Sequence, residues 1–278
     1  MDNGTLAVIY PQGSLGLGML SWHGHASLDA ALQSYAKEDF FSLFDECMLF
    51  APEADKKVIA TAQQYPIRIE SAPDNKGILA GMTEIAERLT TDYIFFTEND
   101  CPLVESHESA RQQITTALEL LHRGRACMAR MRHTRQFGET FGTYDKYLRY
   151  FPTPDSFPAR IRRTLRPAKA KRLCGTSIYV EDHPDQKFPK HITKAENNFY
   201  LVDAAVMPWT NQSILVQRKF FLNTIIPYCT SAPLRRTING FRNLEIELNQ
   251  SRFWTQSGWK IACGTGLLTH KREDDRGY

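Results

Sequence analysis

Over its first hundred residues the chain alternates short apolar runs with amphipathic stretches, and this alternation restricts the fold more than any other feature of the sequence. Residues 6–10 are apolar and end at Pro11, Gly13 and Gly16, which predicts a buried strand running into a loop. In residues 27–44, Leu28, Ala31, Leu32, Tyr35, Phe40, Leu43 and Phe44 recur near helical spacing, with Ser27 placed to cap and Asp29 in the first turn. A second strand at 47–51, a helix at about 54–64 and a third strand at 67–70 follow. The turn Pro73-Asp74-Asn75-Lys76-Gly77 then leads into a helix at 78–89 and a strand at 93–96. Such alternation predicts an α/β fold with a mostly parallel, Rossmann-like mixed sheet flanked by helices. Ligands of these sheets bind beyond the carboxyl ends of the strands, and Glu98-Asn99-Asp100 follows one of those ends.

Beyond a helix at about 109–123 the pattern weakens. Residues 130–194 carry several prolines and many basic side chains, and the region is expected to be irregular, with short strands at 127–131 and 177–180. Periodicity returns as a strand at 213–217, helices at 219–226 and 244–255, and a last strand at 260–263. The polar run 271–278 is expected to be mobile.

An apolar fraction of 42% and a charged fraction of 23% supply a buried core and exclude disorder for the chain as a whole. The formal charge of +3 is too small to imply nucleic acid by itself. It is unevenly spread, with Arg160, Arg162, Arg163, Arg166, Lys169, Lys171 and Arg172 close together and no acid among them. That run is either a solvated surface or a contact for an anionic partner such as a phospholipid headgroup, a lipid diphosphate or nucleic acid. Cys47, Cys101, Cys127, Cys174, Cys229 and Cys263 form no CxxC pair and read as free thiols in a reducing compartment. No signal-peptide pattern opens the sequence and no stretch approaches the roughly 20 apolar residues of a membrane span. The expected location is the cytoplasm or its membrane surface.

Asp74-Asn75-Lys76-Gly77-Ile78, a helix, and then the strand 93–96 leading into Thr97-Glu98-Asn99-Asp100 resemble the family 2-like glycosyltransferases of the GT-A fold. The order of parts continues through Trp209-Thr210-Asn211-Gln212 and Arg218, Leu244-Glu245-Ile246-Glu247-Leu248, Ser257-Gly258-Trp259-Lys260, and Gly266-Leu267-Leu268-Thr269-His270. The resemblance implies a hexosyl- or pentosyltransferase of polysaccharide biosynthesis, inverting and dependent on Mn or Mg, that moves a sugar from a nucleoside-diphosphate sugar to a glycan or glycolipid. It implies one domain, 1–278, with a nucleotide-sugar-binding half (1–104) and an acceptor-binding half (105–278). Asp100, Glu98 and His270 would hold the metal, and Tyr10, Pro11, Gln12, Glu53, Asp74, Asn75, Gly77, Glu98, Asn99 and Asp100 would form the donor site. Glu247 would be the general base, with Glu245 its competitor one short register shift away. Residues two apart on a helix face different sides, so one of the two is expected in the site. Glu98 stands where the family more commonly has Asp.

The residue types suit that chemistry. Negative charge grows on a departing diphosphate, and a divalent cation held by carboxylate and imidazole neutralises it. A carboxylate near the acceptor hydroxyl takes its proton. Three rivals are weaker. Gly13, Gly16 and Gly18 lack the GxGxxG spacing of a dinucleotide oxidoreductase, and Gln12-Gly13-Ser14-Leu15-Gly16 lacks the basic residue expected of a sugar nucleotidyltransferase. A nucleic-acid or anionic-surface binding module would rest on the basic run alone; a peripheral contact with anionic membrane is expected, and nucleic acid is not.

Overall fold

The structure, a computed structural model, describes residues 10–274. Its first half is β1 (Leu15–Leu20), α1 (His25–Lys37), β2 (Glu46–Pro52), α2 (Lys56–Ala62), β3 (Arg68–Ala72), α3 (Gly77–Arg88) and β4 (Tyr93–Glu98). Next come α4 (His107–His122), β5 (Met128–Arg132), and the helices α5 (Tyr144–Tyr150), α6 (Phe157–Leu165), α7 (Pro167–Leu173) and α8 (Pro184–Lys187). Three strands follow, β6 (Ile192–Lys194), β7 (Tyr200–Asp203) and β8 (Ile214–Gln217). A helical run begins as α9 (Arg218–Phe220), passes through a π-helical stretch (Phe221–Ile225) and ends as α10 (Ile226–Ser231). The hairpin β9 (Thr237–Ile238) and β10 (Phe241–Arg242), then α11 (Leu244–Asn249), α12 (Arg252–Thr255) and β11 (Lys260–Leu268) complete the chain.

Nine strands form one sheet in the order β3-β2-β1-β4-β8-β5-β11-β7-β6. β1 to β4 run parallel, β8 is antiparallel to both of its neighbours, β5 and β11 are parallel, and β7 opposes β11. The carboxyl ends of β1, β2, β3, β4, β5 and β11 therefore share one edge with the amino end of β8. Strand residues alternate between faces. Leu15, Leu17, Met19, Tyr93 and Phe95 pack with α1, α2 and α4, while Ile94 and Phe96 pack with α3, the π-helical run, α11 and α12. Burying each such side chain favours the fold by roughly 1.5–3 kcal/mol over leaving it exposed.

The mixed α/β sheet agrees with expectation, but several boundaries do not. The first described strand is Leu15–Leu20; the strand expected at 6–10 lies, apart from Tyr10, outside the described residues. Gly16 and Gly18, which suggest a loop, sit inside that strand because α3 packs directly on it. A Cβ at Gly18 would lie 2.3 Å from Ile85 Cγ2. α1 opens at His25, with Gly24 rather than Ser27 at its cap position. About half of residues 130–194 is helical, and the strand expected at 177–180 is replaced by a 3-10 helix, Cys174–Tyr179. The helix expected at 244–255 breaks before Ser251, whose side chain caps α12. β11 runs five residues past its expected end, through a register shift against β5. Of the run 271–278 expected to be mobile, residues 271–274 are tied down rather than loose, and 275–278 lie outside the described residues. Lys271 N–H donates to Asp100 O at 2.9 Å, and Asp274 accepts from Ser27 N–H at 2.8 Å, closing the start of α1. Among the described residues no helix is long and apolar enough to cross a membrane.

Candidate active site at the carboxyl edge of the sheet

β4 delivers the acidic turn. Glu98 pairs with Leu20 of β1, and Asn99 N–H donates to Leu20 O at 3.2 Å. The buried Asn99 amide donates to His23 O (2.8 Å) and Gly24 O (3.2 Å), so it braces the loop between β1 and α1. Asp100 is fully buried, with its Oδ2 3.4 Å from His270 Nε2 and 3.5 Å from Arg272 Nη2. Burial pushes the neighbouring Cys101 thiol up, and the carboxylates of Asp100 and Glu98 push it further. The turn is thus a concentrated negative site with two cationic or cation-capable groups against it.

β11 brings His270 there. Thr269 N–H donates to Pro102 O at 3.0 Å, His270 N–H to Phe137 O at 3.2 Å, and Glu139 N–H to His270 O at 2.9 Å. The last two contacts need glycine between them. Gly138 has φ +74°, and a Cβ on it would fall 2.0 Å from His270 O. His270 Nδ1 lies 3.4 Å from Glu139 Oε2, whereas its Nε2 is buried and has no hydrogen bond. A buried, unbonded imidazole nitrogen facing a carboxylate oxygen fits a divalent cation. Among the described residues no group of three or more His, Cys, Asp or Glu side chains is disposed to hold one. Asp100 and His270 are brought together, and the expected three-residue set with Glu98 is not.

Next to the acidic turn, reached through Glu98, Asn99 and Arg272 but with neither Asp100 nor His270 in its lining, lies a cavity of about 440 Å³ that Trp22, Asn75, Gly77 and Arg242 also line. Glu53 braces its rim, since its carboxylate accepts from Trp22 Nε1–H at 2.9 Å and from Asn75 N–H at 3.3 Å. Those hydrogen bonds, Trp22's first, hold its carboxyl below the usual range. Asn75 Oδ1 in turn accepts from Gly77 N–H at 2.8 Å. Asp74 is exposed on the same turn and is outside the lining. Tyr10, Pro11 and Gln12 are not at this edge. They precede the amino end of β1, and Tyr10 is packed in the core there. With the strand starting later than expected, the position beyond its carboxyl end falls to Trp22.

The hairpin of β9 and β10 closes the cavity from above, contributing Ile238, Asn239 and Phe241. Its turn residues Asn239 and Gly240 have φ of 51° and 82°, the pattern of a type I′ turn. None of these residues was expected in the site, nor were Trp22 and Arg272. The Asn-Gly dipeptide between Thr237-Ile238 and Phe241-Arg242 is the sequence signal that identifies the hairpin.

A second cavity, of about 410 Å³, opens along the same edge, where Arg130 and Arg132 of β5 meet Tyr179, Trp209 and Glu245. Glu245 Oε1 accepts from Asn211 N–H at 3.0 Å. Glu247 lines neither cavity. It is fully buried on another side of α11, 3.6 Å from Arg242 Nη1, and its carboxylate oxygens have no hydrogen bond. Burial pushes the adjacent Cys229 thiol up to about 12, and the Glu247 charge adds to that rise. The two carboxylates do face different ways, and Glu245 is the one that meets a cleft.

A mixed sheet with β8 reversed at its centre, an acidic turn after β4 and a histidine after β11 define a GT-A-type fold like that of the family 2-like glycosyltransferases. No family model and no curated protein sequence matches the chain. Among solved structures, it is similar to residues 1–349 of S. aureus TarS, with a TM-score of 0.52 at 9% identity over 93% of this chain. It spans 60% of that TarS structure. It is also similar to Mycobacterium tuberculosis glucosyl-3-phosphoglycerate synthase in complex with Mn2+, UDP-glucose and phosphoglyceric acid. There the TM-score is 0.48 at 12% identity, over 94% of this chain and 73% of that one. A nucleotidyl transferase from Methanothermobacter thermautotroptrophicus matches with a TM-score of 0.45 at 9% identity, over 90% of this chain and 86% of that one.

Proposed function

We propose that this chain is an inverting hexosyl- or pentosyltransferase that moves a sugar from a nucleoside-diphosphate sugar to a glycan or glycolipid, as in polysaccharide biosynthesis. The observation that carries this reading is the pairing of buried Asp100 with the unbonded Nε2 of His270, 3.4 Å away, beside a cavity at the carboxyl edge of the sheet. Asp100 and His270 would hold Mn or Mg, with the donor diphosphate supplying further oxygens. Bound there, the cation would neutralise charge growing on the leaving diphosphate.

The protein's own groups have separable tasks. Arg272, which lines the donor cavity and sits against Asp100, places a fixed positive charge toward the diphosphate. Trp22, held by Glu53, forms a rigid wall for the donor, and the exposed hairpin around Asn239-Gly240 covers it. Glu245, the carboxylate in the second cavity, takes the proton from the acceptor hydroxyl; Glu247 supports Arg242 instead. The donor cavity draws on residues 20–99 and on 238–272, so the two expected halves meet in it. On the acceptor side, α6 presents an apolar and basic face suited to an anionic membrane surface, which fits a cytoplasmic enzyme peripheral to the membrane.

A panel of UDP-, GDP-, ADP- and dTDP-sugars incubated with the protein and Mn tests the assignment through release of nucleoside diphosphate. Release from one nucleotide class, lost on chelation with EDTA, is expected. No release from any donor, or release unaffected by EDTA, would contradict it.

A further inference from the structure

The second cavity holds an electrostatic imbalance that sugar transfer alone does not require. Arg130 and Arg132 lie two apart on β5 and so point to the same face, with their Cβ atoms roughly 6.5 Å apart. All hydrogen bonds of Arg130 go to neutral groups, Tyr179 Oη at 3.3 Å and Pro208 O at 2.9 Å. Its Nε is buried and unbonded. Arg132 donates from Nε and Nη2 to Phe137 O at 2.9 and 2.8 Å, from Nη2 also to Glu139 O at 2.5 Å, and from Nη1 to Gln212 Oε1 at 3.3 Å, and its guanidinium lies 5.1 Å over the Phe141 ring. Burial pulls the Arg132 guanidinium below its ordinary range, the charge of Arg130 pulls the same way, and Tyr179, Cys101 and the Glu139 carboxylate oppose that fall. Lys146 lines the same cleft.

Opposing these cations in the lining is the carboxylate of Glu245, already engaged by Asn211 N–H at 3.0 Å. Two guanidiniums held in a half-buried wall by carbonyl, amide and phenol groups are costly unless an anion arrives. The cleft continues, through the shared residues Thr143, Lys146, Pro208 and Asn249, into a depression of about 240 Å³ where Lys169 and Arg172 of α7 add two more cations.

We propose that this cleft binds a phosphate or diphosphate ester, with Arg130, Arg132 and Lys146 as the anion-holding groups; that the ester belongs to the acceptor rests on the transfer reading above. Glu245 then stands beside an acceptor whose charge is anchored along β5, and the neutral hydroxyl of that acceptor is what reaches the donor sugar. A planar guanidinium matches phosphate oxygens in a way an ammonium does not, which is why the strand carries arginines at both positions.

The test is a calorimetric titration of sn-glycerol 3-phosphate into the full chain, with Mn and a nucleoside diphosphate filling the donor cavity and glycerol as the neutral control. Glycerol 3-phosphate is expected to bind and glycerol not to. Arg130→Gln and Lys146→Gln should each weaken binding about tenfold or more, while Arg130→Lys, which keeps the charge, recovers part of the loss. The donor nucleotide should bind all variants as it binds the wild type. Equal affinity for glycerol and its phosphate, or glycerol 3-phosphate binding unchanged in both Gln variants, would overturn the proposal. If the wild type binds no nucleoside diphosphate yet binds glycerol 3-phosphate through Arg130, the transfer reading falls and the anion cleft stands. A parallel titration with dioctanoyl phosphatidic acid separates the sources of the ester. Binding more than tenfold tighter than glycerol 3-phosphate and still dependent on Arg130 assigns a lipid-borne ester, and equal binding assigns a soluble one.

Discussion

Asp100 and His270 are 170 positions apart in sequence, and their meeting depends on backbone pairing rather than on any property of the two side chains. The strand after β11 lies antiparallel to residues 100–102 through Thr269 N–H and Lys271 N–H, so the histidine arrives as a consequence of strand register. That much was legible from the order of short motifs along the chain. The division of labour between Glu245 and Glu247 was not, because helical geometry says only that they diverge. The packing of α11 decides which one is buried against Arg242 and which faces the cleft. Glu245→Gln is therefore expected to lower turnover by roughly 10²–10⁴, the usual cost of a lost acid–base group, with donor affinity retained. Glu247→Gln should keep turnover within a few fold of wild type, since the carboxylate is buried against Arg242 on the side of α11 away from the acceptor cleft. Steady-state kinetics of the two variants decide the matter; the reverse pattern would move the base to Glu247.

At the scale of elements, the alternating first half was readable because its apolar strands are separated by polar turns and amphipathic helices, two of which, α2 and α4, open on the capping side chains of Asp55 and Ser106. β1 was misplaced because the Leu-Gly-Leu-Gly alternation that lets α3 approach the sheet looks locally like a glycine loop. Residues 144–187 were misread for a different reason. Their helices α5 and α7 share a small core of Tyr147, Tyr150, Ala170 and Leu173, too short a pattern to register as periodicity. α6 buries Ala159, while Phe157, Ile161 and Leu165, spaced four apart on one stripe, remain 73%, 42% and 75% exposed. Arg160, Arg162 and Arg166 flank that stripe, and Arg160 and Arg163 are tied to Asp155. An apolar stripe edged by arginines suits an anionic lipid surface, where each Lys or Arg adds about 1 kcal/mol. Co-sedimentation with phosphatidylglycerol vesicles should show binding that falls with salt and is strongly reduced by Phe157→Ser with Leu165→Ser. Because both side chains are already exposed, the double variant should melt like the wild type. Equal binding to phosphatidylcholine vesicles, or no change in the double variant, would contradict the assignment.

Across the whole molecule, the carboxyl edge of one sheet carries two cavities of similar size with separate linings, one beside the acidic turn and one lined by arginines. The segment 268–274 locks that edge by bonding in turn to the turn after β4, to the Phe137–Glu139 loop and to the start of α1. The central claim is that Asp100 and His270 hold a divalent cation for a nucleoside diphosphate in the first cavity. Calorimetric titration of UDP, GDP, ADP and dTDP into wild type and Asp100→Ala, each with Mn and with EDTA, tests it most directly. Wild type should bind one nucleotide class with Mn, and both EDTA and Asp100→Ala should weaken that binding by at least about a hundredfold, as the loss of a metal contact worth several kcal/mol implies, while thermal unfolding of the variant stays cooperative. Binding that is the same with EDTA and in a folded Asp100→Ala variant, or no nucleotide binding by the wild type at all, would contradict the account.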